Sequence, residues 1–148
     1  MKEGAEINIF TKLKRTPLHK AVWNGNVRIV KELLKYPEID IDAPDTHGRS
    51  ALHEAVWGKY GGKLLRKGSK QEEDSPEICE MLLSRGANPN FADIFGQSPL
   101  NVACGSGGNK CIPLLIDAGA DINQADNDGV TPLHMCFYRG QVDSYKIL

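Results

Sequence analysis

The sequence predicts an all-α repeat solenoid of stacked helix-turn-helix units, each with a projecting β-hairpin-like loop. Three recurrent features predict it: a four-residue motif, two apolar clusters at helical spacing after each copy, and glycine-containing turns between copies. The motif reads Ser or Thr, Pro or Ala, Leu, and His or Asn, and it begins at Thr16, Ser50, Ser98 and Thr131. The copies start 34, 48 and 33 residues apart, which is typical of stacked repeats with one longer member.

Each copy of the motif is followed by two apolar clusters. A small or apolar pair comes five and six residues after the motif begins, as at 21–22 and 103–104. In the first unit a second cluster follows at Ile29, Val30, Leu33 and Leu34. The i, i+3, i+4 spacing predicts the buried side of a short helix. Each unit is therefore expected to contain a first and a second helix.

The connections between units also repeat. Gly-Ala-x-x-Asn occurs at 86–90 and 119–123, and Asp-x-x-Gly occurs at 45–48, 93–96 and 126–129. Glycine after a helix supplies a left-handed C-terminal cap, and Asp with Gly is typical of turns. These segments predict a loop that leaves the helical layer and returns to it.

With these elements in this order, the sequence resembles the ankyrin repeat family over nearly the whole chain. The resemblance implies a protein-binding scaffold whose first helices and loops, here called fingers, line a concave face. Three residues depart from the family pattern: Lys14 replaces a finger glycine, Asn101 replaces the motif histidine, and Pro113 lies in a second helix. Because proline suits only the first helical turn, that helix must begin close to Pro113.

We expect one domain that consists of stacked units, because no single unit buries a core by itself. The chain is also expected to be a fragment of a longer protein, because both its ends fall within repeats. The predicted divisions are the end of a preceding repeat at 1–11, repeats at 12–45, 46–93 and 94–126, a partial repeat at 127–148, and an insertion at about 59–74 within the second repeat.

Composition excludes several classes of function. The net charge is −1 over 148 residues, so the chain has no overall basic field that would attract nucleic acid. No apolar stretch is long enough to span a membrane, and the start of the sequence carries no signal-peptide pattern. We therefore expect a monomeric, intracellular domain, cytoplasmic or nuclear, that binds another protein or peptide.

The residue types that often carry chemistry fit the scaffold instead. The four cysteines lack C-x-x-C spacing and lie on apolar stripes, which predicts buried thiols rather than zinc ligands. The histidines of the motif recur at one position, and the family resemblance assigns them to hydrogen bonds between helix starts and neighbouring loops. Residues 105–110 match no phosphate-binding motif and are interpreted as a turn. We expect no enzyme activity, no cofactor and no metal.

Candidate partner-binding residues occur four and seven positions after the motif begins, where the resemblance implies exposure on the concave face. Aromatic residues there are typical of binding hot spots. The alternative is that the two tryptophans at these positions, Trp23 and Trp57, pack against the adjacent unit or beneath the insertion. The candidates on the first helices are Lys20, Trp23, Glu54, Trp57 and Tyr138.

The finger tips and the insertion supply further candidates. The predicted tips are 12–13, 46–47, 94–95 and 127–128, and we single out His47 and Phe95 as partner contacts. Apolar residues at 94–95 either contact a partner or pack against the next finger. The charged insertion is either a specificity loop or a solvated linker.

Asn123 is a candidate modification site. Its Leu and Asp-Ile-Asn context resembles that of ankyrin asparagines that an asparaginyl hydroxylase modifies. The alternative is that Asn123 only closes its loop by hydrogen bonding.

The predicted function is therefore protein binding on the concave groove and the fingers. The alternative is a structural spacer within a larger enzyme, channel or adaptor. Catalysis is disfavoured, because the register brings no set of titratable groups together.

Overall fold

The computed structural model describes residues 6–57 and 75–148. The predicted insertion at 59–74 lies outside the described residues, as do residues 1–5. The described part forms an all-α stack without strands, which confirms the predicted fold class. Its helices are α1 Pro17–Trp23, α2 Val27–Leu33, α3 Ala51–Ala55, α4 Pro76–Ser84, α5 Pro99–Ser106, α6 Ile112–Asp117, α7 Pro132–Arg139 and α8 Val142–Ile147.

The repeated motif marks the start of every first helix. Thr16 has extended backbone geometry, and its Oγ1 accepts a hydrogen bond from the backbone N–H of His19 at 3.4 Å. Ser98 and Thr131 cap α5 and α7 in the same way, and each is followed by proline in the first turn. Capping satisfies an N–H group that the helix cannot pair, and proline costs nothing at a position that needs no donor. Pro113 likewise lies in the first turn of α6, as its sequence required.

The helices form two layers. The first helices α1, α3, α5 and α7 contact one another in succession, and so do the second helices α2, α4, α6 and α8. The motif leucines of the first three units, Leu18, Leu52 and Leu100, are at most 1% exposed, whereas Leu133 in the last unit is 43% exposed. Full burial of each leucine contributes about 1.5–3 kcal/mol, so one residue of the motif both marks the helix and builds the core.

Glycine makes the turn between α5 and α6 possible. Gly107 ends α5 in the left-handed region at φ 78°, as a helix C-terminus favours. A Cβ on Gly108 would lie 2.2 Å from the carbonyl oxygen of Val56 in the preceding unit. Residues 107–110 therefore form a close-packed turn between helices, whereas residues 105 and 106, which the sequence interpretation placed in the turn, are the last residues of α5.

All four cysteines are free and buried. Burial raises the pKa of the Cys104 and Cys136 thiols, because an apolar environment disfavours the thiolate. They act as small core residues, as the register predicted.

Candidate functional site

Each finger is a tight turn that an aspartate organises. The Oδ1 atom of Asp45 accepts hydrogen bonds from the backbone N–H groups of His47 at 2.8 Å and Arg49 at 3.1 Å. The turn closes with a bond from the Asp45 N–H to the Arg49 carbonyl at 2.9 Å. Asp93 and Asp126 repeat this arrangement in the third and fourth fingers.

The first finger reaches the same shape with different residues. Thr11 stands in the aspartate position, and its Oγ1 accepts from the backbone N–H of Arg15 at 3.2 Å. Lys14, which replaces glycine, adopts φ 54°. A lysine pays a conformational penalty there that glycine avoids. The departure seen in the sequence is thus local and leaves the finger intact.

Backbone hydrogen bonds join the fingers into a row. The N–H of Thr46 donates to the carbonyl of Leu13 at 3.1 Å, and the N–H of Ile94 donates to that of His47 at 3.0 Å. The N–H of Asn127 completes the series on the Phe95 carbonyl at 3.0 Å. Each tip is bonded to its neighbour, so the four fingers form one connected row.

The motif histidines tie the first helices to the finger row. The Nε2 atom of His19 lies 2.9 Å from the Arg49 carbonyl oxygen, and Nε2 of His53 lies 3.0 Å from that of Gln97. A carbonyl oxygen only accepts, so Nε2 carries the proton and Nδ1 is left to accept bonds at the helix cap. Burial lowers the pKa of both imidazoles. His19 and His53 therefore make the hydrogen bonds between helix start and neighbouring loop that the family resemblance implied.

Asn101 performs the same task without a titratable ring. Its Nδ2 atom donates to the Val130 carbonyl at 3.2 Å, and its Oδ1 atom accepts from the Ser98 hydroxyl at 2.7 Å. The replacement of histidine by asparagine therefore preserves both connections.

Two arginines next to the motif cover the tryptophans. The guanidinium carbon of Arg15 lies 4.9 Å from the ring centroid of Trp23, and that of Arg49 lies 4.7 Å from the ring of Trp57. Both are cation–π contacts at close range. The arginines are one residue before the motif and the tryptophans seven after it begins, so the pair is itself a repeated feature.

The same arginines reach carboxylates of the next unit. Arg15 Nη2 lies 2.8 Å from Glu54 Oε1, and Arg15 Nε lies 3.6 Å from Asp45 Oδ2. Arg49 Nε lies 3.6 Å from Asp93 Oδ2. Each arginine therefore links an indole of its own unit to an acidic group of the following one.

The predicted contact residues divide into accessible and buried ones. Glu54 has no exposed surface and Trp57 is 8% exposed, so both are buried, and the alternative given for the tryptophans, packing against the adjacent unit or beneath the insertion, fits Trp57. Trp23 is half-buried beneath Arg15. The accessible candidates are Lys20, His47, Phe95 at 52% and Tyr138 at 71% exposure.

Sequence reasoning missed Arg15 and Arg49. The signal was present, because arginine precedes the motif only in the two units that carry tryptophan. In the third unit Gln97 and Gly105 occupy these two positions. Met135 lies over Gly105, since a Cβ there would meet Met135 Cε at 2.8 Å.

Asn123 lies exposed at the position where the equivalent asparagine of the preceding loop bridges two units. Asn90 donates from Nδ2 to the Gly119 carbonyl at 3.0 Å and accepts from the Asp121 N–H at 2.7 Å. The backbone N–H of Asn123 donates to Asp121 Oδ1 at 2.9 Å. Its side chain is accessible, and its modification stays a prediction.

Within residues 6–57 and 75–148, no three potential metal ligands cluster together. No helix of the described chain is both long and apolar enough to cross a bilayer.

Stacked helix pairs, a hydrogen-bonded finger row and exposed apolar tips define the class of helical-repeat scaffold proteins. The chain belongs to the ankyrin repeat family: a model of three ankyrin repeats matches residues 1–72 and 65–148. Repeats of this family generally act as protein–protein interaction modules rather than as catalysts.

The chain is similar to parts of several larger proteins. It is 34% identical over 115 residues to the putative ankyrin repeat protein YahD of Escherichia coli, covering 78% of this chain and 52% of YahD. It is 29% identical over 156 residues to target of rapamycin complex 2 subunit AVO2 of Saccharomyces cerevisiae, and this match covers 88% of this chain and 36% of AVO2. It is 25% identical over 155 residues to human transient receptor potential cation channel subfamily A member 1, and this match covers 99% of this chain and 12% of the channel.

Proposed function

We propose that this chain is a protein-interaction module that binds a partner protein or peptide across its finger row and the adjoining surface of the first helices. The observation that supports this most is the set of apolar side chains on ordered fingers. Leu13, Ile94 and Phe95 are 57%, 55% and 52% exposed, although turn tips ordinarily carry polar residues. Exposed apolar groups on a rigid frame bind at low entropic cost.

The first helices extend this surface. Lys20 and Tyr138 are exposed, and Trp23 presents part of its ring beside Arg15. Tyrosine and tryptophan bury a large area while keeping a polar atom for hydrogen bonding. We infer that these residues supply contacts in addition to the fingers, whereas Glu54 and Trp57 support the surface from within.

We further propose that the domain works as an intracellular monomer, in cytoplasm or nucleus, with protein rather than nucleic acid as its partner. Free, buried thiols suit a reducing compartment. The competing proposal is a spacer in a larger protein, since relatives such as the human cation channel match this chain over only 12% of their length.

Affinity capture from lysate tests the module against the spacer. The bait is the wild-type chain beside Phe95→Ser and Tyr138→Ala, and the matched control is Tyr145→Ala. Tyr145 is also an exposed tyrosine, at 49%, and it lies on the second helix α8. A protein that wild type and the control retain, and that both site variants lose, supports the module. Equal recovery by all four baits contradicts it.

The proposed modification of Asn123 has a separate test. Incubation of the chain with an asparaginyl hydroxylase is expected to add one oxygen to the peptide that contains Asn123, and an Asn123→Ala control stays unchanged. An unmodified peptide from the wild-type chain would remove the proposal.

A further inference from the structure

The finger row changes in charge from one end to the other. The first finger carries Lys12 and Lys14, both exposed, and the tip of the second carries no carboxylate. The third is apolar at 94–95, and the fourth carries exposed Asp128 above half-buried Asp126. The row thus runs from basic through apolar to acidic.

Asp126 differs from its counterparts in the other fingers. Asp45 and Asp93 each pair with an arginine of the preceding unit, whose Nε atom lies 3.6 Å from the Oδ2 atom of the aspartate. Gln97 holds the equivalent position before Asp126, and within the described chain Asp126 forms no ion pair. Its Oδ1 atom accepts two backbone hydrogen bonds in the finger.

We propose, on the basis of the function above, that the finger row binds an extended segment of the partner with a fixed order of side chains. Acidic groups come first, an apolar group follows, and basic groups come last. Complementary charges at both ends set the register, and the apolar group supplies buried area between them. The facing residues are Lys12 and Lys14, then Ile94 and Phe95, then Asp126 and Asp128.

Repeat geometry sets the spacing of this segment. Packed neighbouring helices lie about 8–10 Å apart, so three steps from the first to the fourth finger span roughly 24–30 Å. An extended chain advances about 3.3 Å per residue. The acidic and basic groups of the partner are therefore about seven to nine residues apart, with the apolar group about three residues from the basic end.

Two synthetic peptides of identical composition test the order. One is acetyl-Glu-Glu-Ser-Ser-Ser-Ser-Leu-Ser-Arg-Arg-amide, and the other exchanges its two Glu and two Arg residues. Because the apolar residue is off-centre, the second peptide cannot satisfy the row in either chain direction. Isothermal titration calorimetry at low salt is expected to show at least tenfold tighter binding of the first, with weaker binding in 0.5 M NaCl. Equal affinities, or no binding of either peptide, would overturn the proposal.

Charge-removing variants tie the effect to the row. Asp126→Asn keeps an Oδ acceptor for the finger turn, and its combination with Asp128→Asn is expected to weaken binding of the first peptide at least fivefold. Asp143→Asn, an exposed aspartate on α8, is the control and should change nothing. Unchanged binding by the double variant overturns the inference.

The natural partner separates this inference from the proposed function. If wild type captures a partner that Phe95→Ser loses and the double asparagine variant keeps, the order of charges is wrong while the module stands. If Phe95→Ser loses nothing, the proposed function itself fails.

Discussion

Arg15 Nη2 lies 2.8 Å from Oε1 of Glu54, a carboxylate that has no exposed surface. The arginine belongs to the first finger and the glutamate to the first helix of the next unit, 39 residues away in sequence. The guanidinium carbon of Arg15 also lies 4.9 Å from the ring centroid of Trp23. One arginine therefore joins an ion pair, a cation–π contact and the boundary between two units.

Removal of Arg15 should destabilise the stack. Arg15→Ala leaves the buried Glu54 without this counter-charge, and breaking a buried ion pair typically costs about 3 kcal/mol or more. We expect a loss of up to about 3 kcal/mol in the free energy of unfolding, measured by urea denaturation. Lys12→Ala, at an exposed position of the same finger, is the control and should change stability by less than about 0.5 kcal/mol. Equal midpoints for the two variants would refute this role of Arg15.

Stability should fall as the pH drops below about 6.5, the pKa of histidine in an unfolded chain. Burial lowers the pKa of His19 and His53 in the fold, so the unfolded state takes up protons first. Above that pH, the contribution of the neutral histidines to the free energy of unfolding is complete. As the pH falls, each histidine loses up to about 1.4 kcal/mol of this contribution per pH unit until its pKa in the folded state is reached.

The chain itself supplies the variant that tests this pH dependence. His53→Asn copies Asn101, which makes the equivalent connections, and should reduce the pH dependence between 6.5 and 5.5 relative to wild type. Denaturant titrations at several pH values measure it. Identical slopes for wild type and variant would show that His53 does not contribute.

Gly108 should tolerate no side chain. Gly108→Ala places a methyl group 2.2 Å from the Val56 carbonyl oxygen, so the backbone of one unit must move, which typically costs about 1–3 kcal/mol. Gly105→Ala is the matched control, because its methyl group meets the flexible end of Met135 at 2.8 Å. In thermal unfolding, the midpoint temperature of the Gly108 variant should be clearly lower than that of the Gly105 variant. The reverse order would contradict the close contact between units.

The four thiols should be unreactive in the folded protein. They are buried, and burial raises the pKa of Cys104 and Cys136, while only the thiolate attacks a disulfide reagent. A colorimetric disulfide reagent should therefore react slowly with the native protein. After unfolding in urea, it should react with all four thiols. A rapid phase in the native protein would reveal a thiol that is accessible.

Local rules made the helix starts predictable. Thr16 and Ser98 cap helices with hydrogen bonds to residues three positions ahead, so the sequence near each motif is sufficient. The joined finger row was harder to predict, because its bonds link residues such as Leu13 and Thr46 that are distant in sequence.

The site was only partly predictable for a related reason. Tyr138 and Phe95 are exposed as expected, whereas Glu54 and Trp57 have the same register positions as accessible residues and are buried. Arg15 pairs with Glu54, and Arg49 lies over the ring of Trp57, and both arginines lie outside helix α3. The repeat register predicts where a residue lies on a helix. Its exposure to solvent also depends on side chains that approach from the neighbouring fingers.

Hydroxyl-radical footprinting of the complex with the captured partner locates the binding surface on the chain. Exposed aromatic side chains react readily, so the free chain should be labelled at Phe95, Tyr138 and Tyr145. Binding across the fingers and first helices should protect Phe95 and Tyr138 and leave Tyr145 on α8 labelled. Protection of Tyr145 with continued labelling of Phe95 and Tyr138 would place the partner on the second helices and contradict the account.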